Sequence, residues 1–230
     1  KVSKDLSVSH PISPKLDPEL ISELLTSLAS WDPRASVPLA HTFMRVGDKD
    51  ALKAFDDMAL ASPSADAMLK DRYLSPTPDV TYLASLPDGT LGKEFERYLT
   101  SNQLDANLLR ESAFIEAHHK RGDDVGYLTE RGFQLHDLFH VLTGYDTTPL
   151  GEVRVVSFTV AQAPAPYPAM IIASRPLQIL LYRPQLLPFI MDAITEGWML
   201  GRKAKPLLAV RWEEYWERPL TQLREDYDLL

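Results

Sequence analysis

Gly144 and the pair Thr148-Pro149 oblige this chain to turn back on itself. The residues before them, from about Val125 to Thr143, carry a helical pattern, and those after, Pro149 to Gln162, carry another. A glycine just past a helical run readily takes the left-handed conformation that ends a helix, and Thr followed by Pro fits an N-cap and a first helical position. A helical hairpin centred near Asp146 is therefore expected. Its second arm, V-R-V-V-S-F-T-V, is rich in β-branched residues, so propensity alone leaves a strand open there; the proline start favours helix.

The hairpin gathers chemistry. His136 and His140 are four residues apart, one turn on one face of a helix, so both rings can reach one ion. Asp137 borders that face and can either ligate or take the proton of a ligand imidazole. His140 and Glu152 are each six residues from Asp146, which puts them at similar height in an antiparallel pair. His136, Asp137, His140 and Glu152 thus form a candidate site for one divalent metal, through which they would act in catalysis. The plainer account of the His pair is a capped helix end with hydrogen-bonded histidines. The chain has no cysteine, which leaves imidazoles and carboxylates as its strong ligands and admits Zn, Fe, Mn or Co, with zinc placed first.

Composition bounds the rest. The 230 residues are 45% hydrophobic and 24% charged, ordinary globular values and enough for a substantial core. A net charge of −8 opposes nucleic-acid binding, which needs a basic surface to neutralise phosphates. No window near twenty residues is free of both charge and proline, so no membrane span is expected, and K-V-S-K-D-L-S does not form a signal peptide.

Proline-punctuated helical patterns and the lack of alternating strands predict an all-α fold: a single multi-helical domain over residues 17–230, with the metal-binding hairpin inside it, after an irregular arm over residues 1–16. Asp17-Pro18-Glu19 starts a helix whose apolar stripe is Leu20, Leu24, Leu25 and Leu28. Short helices follow, broken near Pro38, Gly47 and Pro63 and ended by Pro76 and Pro78, with Leu52, Phe55, Met58 and Ala59 as core. Leu86-Pro87-Asp88-Gly89 is a turn, and Thr90 caps a helix over Leu91 to Leu99 that turns Phe95, Tyr98 and Leu99 inward. His118-His119 point about 100° apart on a helix and read as a solvated polar face. Residues 163–168, A-P-A-P-Y-P, form an extended polyproline linker. The apolar stretch over residues 169–200 is expected as short helices separated at Arg175-Pro176, Arg183-Pro184 and Pro188, which either pack into one core or form a greasy groove for a membrane or a hydrocarbon chain. Trp212, Trp216 and Leu220 anchor the tail, with a break at Pro219.

The run from His136 to Glu152, with eleven residues between His140 and Glu152, resembles the signature of the ubiquinone (coenzyme Q) biosynthesis family formed by the fourth protein of the coenzyme Q set. V-L-T-G, T-T-P-L-G-E, L-P-D-G-T-L-G-K-E-F (residues 86–95), Tyr127, Arg131 and A-K-P-L-L-A-V-R-W-E-E-Y-W-E-R-P-L-T-Q-L-R (residues 204–224) fit the same family, over roughly Leu39 to Tyr227. Phe139 stands where many relatives carry Trp. The resemblance implies an all-α enzyme acting at ring carbon one of a polyprenylated para-hydroxybenzoate derivative, a metal-dependent oxidative decarboxylation and hydroxylation. Its alternative is a non-catalytic, metal-stabilised scaffold that holds a prenylated intermediate and organises a biosynthetic complex. It also implies Tyr127, Arg131 and Phe139 as substrate-binding residues. Expected partners are the polyprenylated phenolic quinone precursor, a membrane surface, a homodimer and other ubiquinone-biosynthesis proteins. The expected location is cytoplasmic and peripheral to a membrane, or the matrix face of the mitochondrial inner membrane for a chain that has lost an upstream targeting segment.

Overall fold

Side-chain caps fix where the two helices of the hairpin begin, and a left-handed glycine ends the first. The computed structural model describes residues 17–29, 42, 45, 49–105 and 113–230. The expected arm and the breaks at Pro38 and Gly47 lie outside the described residues. Within them run α1 (Pro18–Ala29), α2 (Lys49–Leu60), α3 (Ala65–Asp71), α4 (Val80–Ser85), α5 (Leu91–Ser101), α6 (Ala113–Arg121), α7 (Asp124–Thr143), α8 (Pro149–Gln162), α9 (Pro166–Tyr182), α10 (Leu187–Lys203) and α11 (Leu220–Asp226). The described residues contain no strand, only an isolated bridge between Thr90 and Pro219, and the chain is a single all-α domain.

The signature helix α7 starts where Asp123 accepts from the Gly126 N–H at 2.8 Å and stops at Gly144, whose φ of 77° only glycine adopts without strain. Its last carbonyls would be orphaned, but the Arg224 guanidinium donates to those of Val141 and Leu142 at 2.8 and 2.9 Å, a cation at the negative end of the helix. Thr148 caps α8 by accepting from Gly151 N–H at 3.2 Å, with Pro149 in the first turn. The β-branched run is therefore helical, because capping and burial on both sides outweigh a propensity deficit of a few tenths of a kcal/mol per residue.

One core joins the hairpin to α5 and the tail: Leu135, Leu138, Phe139 and Leu142 of α7 pack with Phe95 and Leu99, Val155 and Phe158, and Leu207, Trp212 and Leu223. Each such side chain contributes ~1.5–3 kcal/mol when fully buried. Trp216 stacks on Phe95 at 5.6 Å, and the carbonyls of Trp216 and Arg218 take the free N–H groups of Gly92 and Leu91, each at 2.9 Å. The tail thus anchors as expected, through a 3-10 turn at Trp212–Tyr215 and then α11 rather than one continuous helix.

Three expectations are corrected. Residues 163–168 are not all extended linker, since α9 begins at Pro166, a residue that fits a first helical turn. Pro176 does not end a helix but lies inside α9; its cost of roughly 3 kcal/mol is outweighed by burial of Ile171 and Ile179 on either side of it. The apolar stripes are narrower than drawn: Leu24 and Leu28 pack against the cluster of Val156, Met170 and Ile171, while Leu25 and Met58 are exposed.

Helix α8 packs most extensively on α10. Gly197 and Gly201 permit this: a Cβ at Gly197 would stand 2.1 Å from the Arg154 carbonyl oxygen, and one at Gly201 2.6 Å from that of Phe158. Gly132 of α7, by contrast, faces open space. Alanine at Gly197 should therefore lose about 2 kcal/mol, a cost of ~3 from forced separation less ~1 from helix propensity. Alanine at Gly132 should gain up to ~1 kcal/mol. Urea unfolding of the two variants checks the opposite signs.

Candidate metal centre

The hairpin brings three of the four expected ligands together. His136 Nε2 lies 3.4 Å from Glu152 Oε2, and His140 Nε2 lies 3.4 Å from Glu152 Oε1. One donor atom from each of the three falls within 4.8 Å of the others. Ligands at ~2.1 Å around a tetrahedral zinc stand about 3.4 Å apart, so the spacing suits such an ion. Asp137, half-buried one position along α7, lines the same cavity but is not in the three-residue group.

The donor atoms themselves suit a cation. The His140 ring is fully buried, stacks on Tyr98 at 5.4 Å, and places Nδ1 3.0 Å from the Tyr145 carbonyl oxygen. That carbonyl can only accept, so Nδ1 carries the hydrogen, and in the neutral ring Nε2 is the atom with a lone pair. Nε2 is buried without a hydrogen-bond partner and faces a carboxylate oxygen. Two electron-rich atoms meeting in a buried place are reconciled by a cation between them, so the residues fit a divalent ion.

Without an ion, protons on the imidazoles take its place: burial pushes the Glu152 carboxyl upward, but hydrogen bonds and positive charge from the facing His136 and His140 outweigh it and hold the group at about 2. Its place in the first turn of α8, at the positive end of the helix, adds to this. Burial lowers the His136 pKa, and Glu152 and Asp137 overcome it, leaving the ring above its ordinary value. Tyr98 is pushed well up, by burial first and then by the charges of Asp137 and Glu152, so it remains a neutral phenol able to donate.

The three residues expected to bind substrate lie elsewhere. Tyr127 and Arg131 face away from the metal cavity and border a pocket of only about 60 Å³. The Tyr127 hydroxyl donates to the Tyr73 carbonyl at 3.0 Å, and Arg131 ties residue Ser75 to the Val210 carbonyl. Phe139 is fully buried, edge-on to Phe158 at 5.4 Å. The reason is helical phase: Gly132 and His136 line the cavity, whereas positions 127, 131, 135 and 138 sit on the far face and enter the core. His119, exposed, sits 3.1 Å from Glu130. His118 and His119 belong to no metal-holding group among the described residues.

Beside His136 and Glu152 opens a cavity of about 1330 Å³, walled by α7, α8, α9 and the start of α10. This exceeds the ~300–1,000 Å³ of a usual small-molecule site. Sequence reasoning missed two of its polar residues, Tyr98 and Arg175. Tyr98 read as core. Arg175 read as part of a break, although Ile171 and Ile179 at i−4 and i+4 already marked its side of α9 as inward.

Fold and site together define a class: an all-α protein with a His-His-Glu group able to hold a divalent ion at the wall of a large apolar cavity. The family model described as Coenzyme Q (ubiquinone) biosynthesis protein Coq4 matches residues 21–230, and the chain belongs to that family. The chain is 31% identical over 200 residues to the ubiquinone biosynthesis protein COQ4 homolog, mitochondrial, of Danio rerio, covering 84% of this chain and 70% of that one. The Rattus norvegicus protein of the same description is 31% identical over 180 residues, covering 76% and 64%. A crystal structure of a protein from Nostoc punctiforme shares the fold, with a TM-score of 0.72 at 24% identity, over 91% of this chain and 96% of that one. The match begins at Ile21, well before the Leu39 at which the sequence resemblance starts. No helix among the described residues is long and apolar enough to cross a membrane.

Proposed function

We propose that this ubiquinone-biosynthesis protein is an enzyme that replaces the ring carboxyl of a polyprenylated para-hydroxybenzoate derivative by hydroxyl, at a divalent metal held by His136, His140 and Glu152. The observation that carries the reading is the meeting of that His-His-Glu group with an apolar cavity too large for a bare aromatic ring. Val153, Val156, Ile171, Ile179 and Ile190 supply walls suited to an isoprenoid tail, while His136, Asp137 and Tyr98 gather polar groups at one part of the lining. A bound Zn, Fe, Mn or Co ion would polarise the substrate carboxyl and steady charge developing on it. The Tyr145 carbonyl holds the His140 ring in one tautomer, and neutral Tyr98 is placed to donate a hydrogen bond to a ring oxygen. The apolar walls exclude water from the reacting carbons.

Substrate of this kind lives in membrane, and the surface suits delivery from one. Leu177, Leu180 and Leu181 of α9 and Met191 and Met199 of α10 are exposed, and Phe189, itself 56% exposed, also lines the cavity. A protein resting on the bilayer by these residues would take up the tail beside Phe189.

The test is turnover by purified protein given a prenylated para-hydroxybenzoate, dioxygen and each of the four ions in turn, with products followed by mass spectrometry. The net change, in which the ring acid, dioxygen and water give the phenol, carbon dioxide and hydrogen peroxide, is a two-electron oxidation, so product is expected only with dioxygen. Substrate that binds but is never converted with any ion would favour the non-catalytic scaffold, in which the same three residues clamp the hairpin. Gly132→Trp, whose side chain would project into the open cavity one turn before His136, is expected to weaken long-tailed substrate about tenfold or more while leaving zinc content unchanged.

A further inference from the structure

Arg175 has no ion-pair partner among the described residues. It lies on the face of α9 that also carries Pro168, Ile171 and Ile179, all of which line the cavity. Ile171 packs in one cluster with Val156 and Ile179 in another with Val153, so Arg175, midway between them, faces the stretch of α8 that bears Glu152. The guanidinium is half-buried; its Nη1 donates to Gln178 Oε1 at 2.8 Å, and Gln178 is itself 2% exposed. No described carboxylate forms an ion pair with it. The other arginine lining the cavity, Arg121, is satisfied by Asp56 at 2.7 Å and Asp123 at 2.5 Å.

Partial burial of an unpaired guanidinium in an apolar cavity is costly, and a planar fork of donors is matched best by a carboxylate or phosphate. The shift of Arg175 has the same origin: burial lowers its pKa, against a weaker upward pull from Tyr167 and Glu152. Gln178 fixes the fork so that its remaining N–H groups are free for a ligand.

We propose that Arg175 recognises the carboxylate of the aromatic substrate and turns it toward His136, His140 and Glu152, with Gln178 as its positioning residue. This rests on the cavity being the substrate site. It makes the protein select the acid over a ring of the same tail that lacks the carboxyl, a feature the proposed product shares.

The experiment uses zinc-loaded full chain and three probes with one tail: geranylated para-hydroxybenzoate, the matching geranylated phenol without the carboxyl, and geranyl monophosphate. Dissociation constants come from calorimetry, and thermal midpoints are taken without ligand. The wild type is expected to prefer the acid to the phenol. Arg175→Gln should lose roughly 10- to 100-fold in affinity for the acid, the usual cost of a charged hydrogen bond, and leave the phenol unaffected, with Arg175→Lys between. Its thermal midpoint should hold or rise, because an unpaired buried charge has been removed. Equal losses for acid and phenol, or no loss for either, overturn the assignment. Tighter, Arg175-dependent binding of the monophosphate than of the acid also overturns it, in favour of a phosphate head group. Should the wild type bind neither the acid nor the phenol, the cavity itself is not the substrate site, a failure distinct from the others.

Discussion

Glu152→Ala is expected to purify without metal, while the wild type carries close to one divalent ion per chain. Loss of a residue that merely orients a ligand costs ~10–100-fold in zinc affinity, and loss of one of three direct donors should exceed that. Metal analysis of untagged protein decides it. Glu152 is the clean choice because its side chain is partly exposed, so alanine there leaves no large void. His140→Ala should lose the ion as well, but also empties a fully buried ring site against Tyr98, at ~2–4 kcal/mol. Asp137→Asn is expected to retain the ion, since Asp137 stands outside the three-donor group. Full metal in Glu152→Ala would remove the basis of the proposed chemistry.

The same triad gives the metal-free protein a pH signature. Glu152 is depressed to about 2, so its contribution is complete above its ordinary value of 4.5 and is lost as pH falls toward 2. His136 is raised, so its contribution is complete below 6.5 and is lost as pH rises through the folded value. The pair therefore stabilises metal-free protein most between pH 4.5 and 6.5. Zinc needs an unprotonated His136 and competes with that proton. The rise in thermal midpoint on adding zinc should accordingly grow with pH across this range and beyond it. A zinc effect independent of pH would exclude His136 as a ligand.

Local spacing made the hairpin readable, because its chemistry lies within one turn and one bend. Residues i and i+4 on a helix, a left-handed glycine and a Thr-Pro cap are all local instructions, and His136, His140 and Glu152 followed from them. What local rules could not supply was rotation about the helix relative to distant elements. Tyr127 and Arg131 are near the signature in sequence yet face the tail, and whether a helix face meets core or cavity depends on partners some eighty residues away. Pro176 failed as a break for the same reason: its local cost is fixed, but the burial that overrides it comes from α8 and is invisible in the pentapeptide around it. Arg175 was hidden by that error, since a residue assigned to a loop has no face.

Arg131→Ala is expected to cost ~3–5 kcal/mol, the usual penalty for breaking a buried ion pair by removing one side. Arg131 is 1% exposed, donates to Ser75 Oγ and, at 2.7 Å, to the Val210 carbonyl, stands 3.6 Å from Glu213, and lies over the Tyr73 ring at 5.4 Å. Without it, Glu213 keeps a charge whose Oε2 already has no hydrogen-bond partner, and the link between residues 73–75 and the tail is cut. At ~2–4 °C per kcal/mol for a chain of this size, the midpoint should fall by roughly 6–20 °C. The double variant Arg131→Met, Glu213→Leu should recover much of the loss, because the orphaned charge is gone. Substrate affinity of the folded double variant should match the wild type. That is the reverse of what is expected of Arg175, whose replacement changes affinity and spares stability. The two arginines therefore separate a buried strut from a ligand contact by measurement: a thermal scan and a binding curve on each should move in opposite columns, and an Arg131 variant that folds normally but loses the acid would return it to the substrate site.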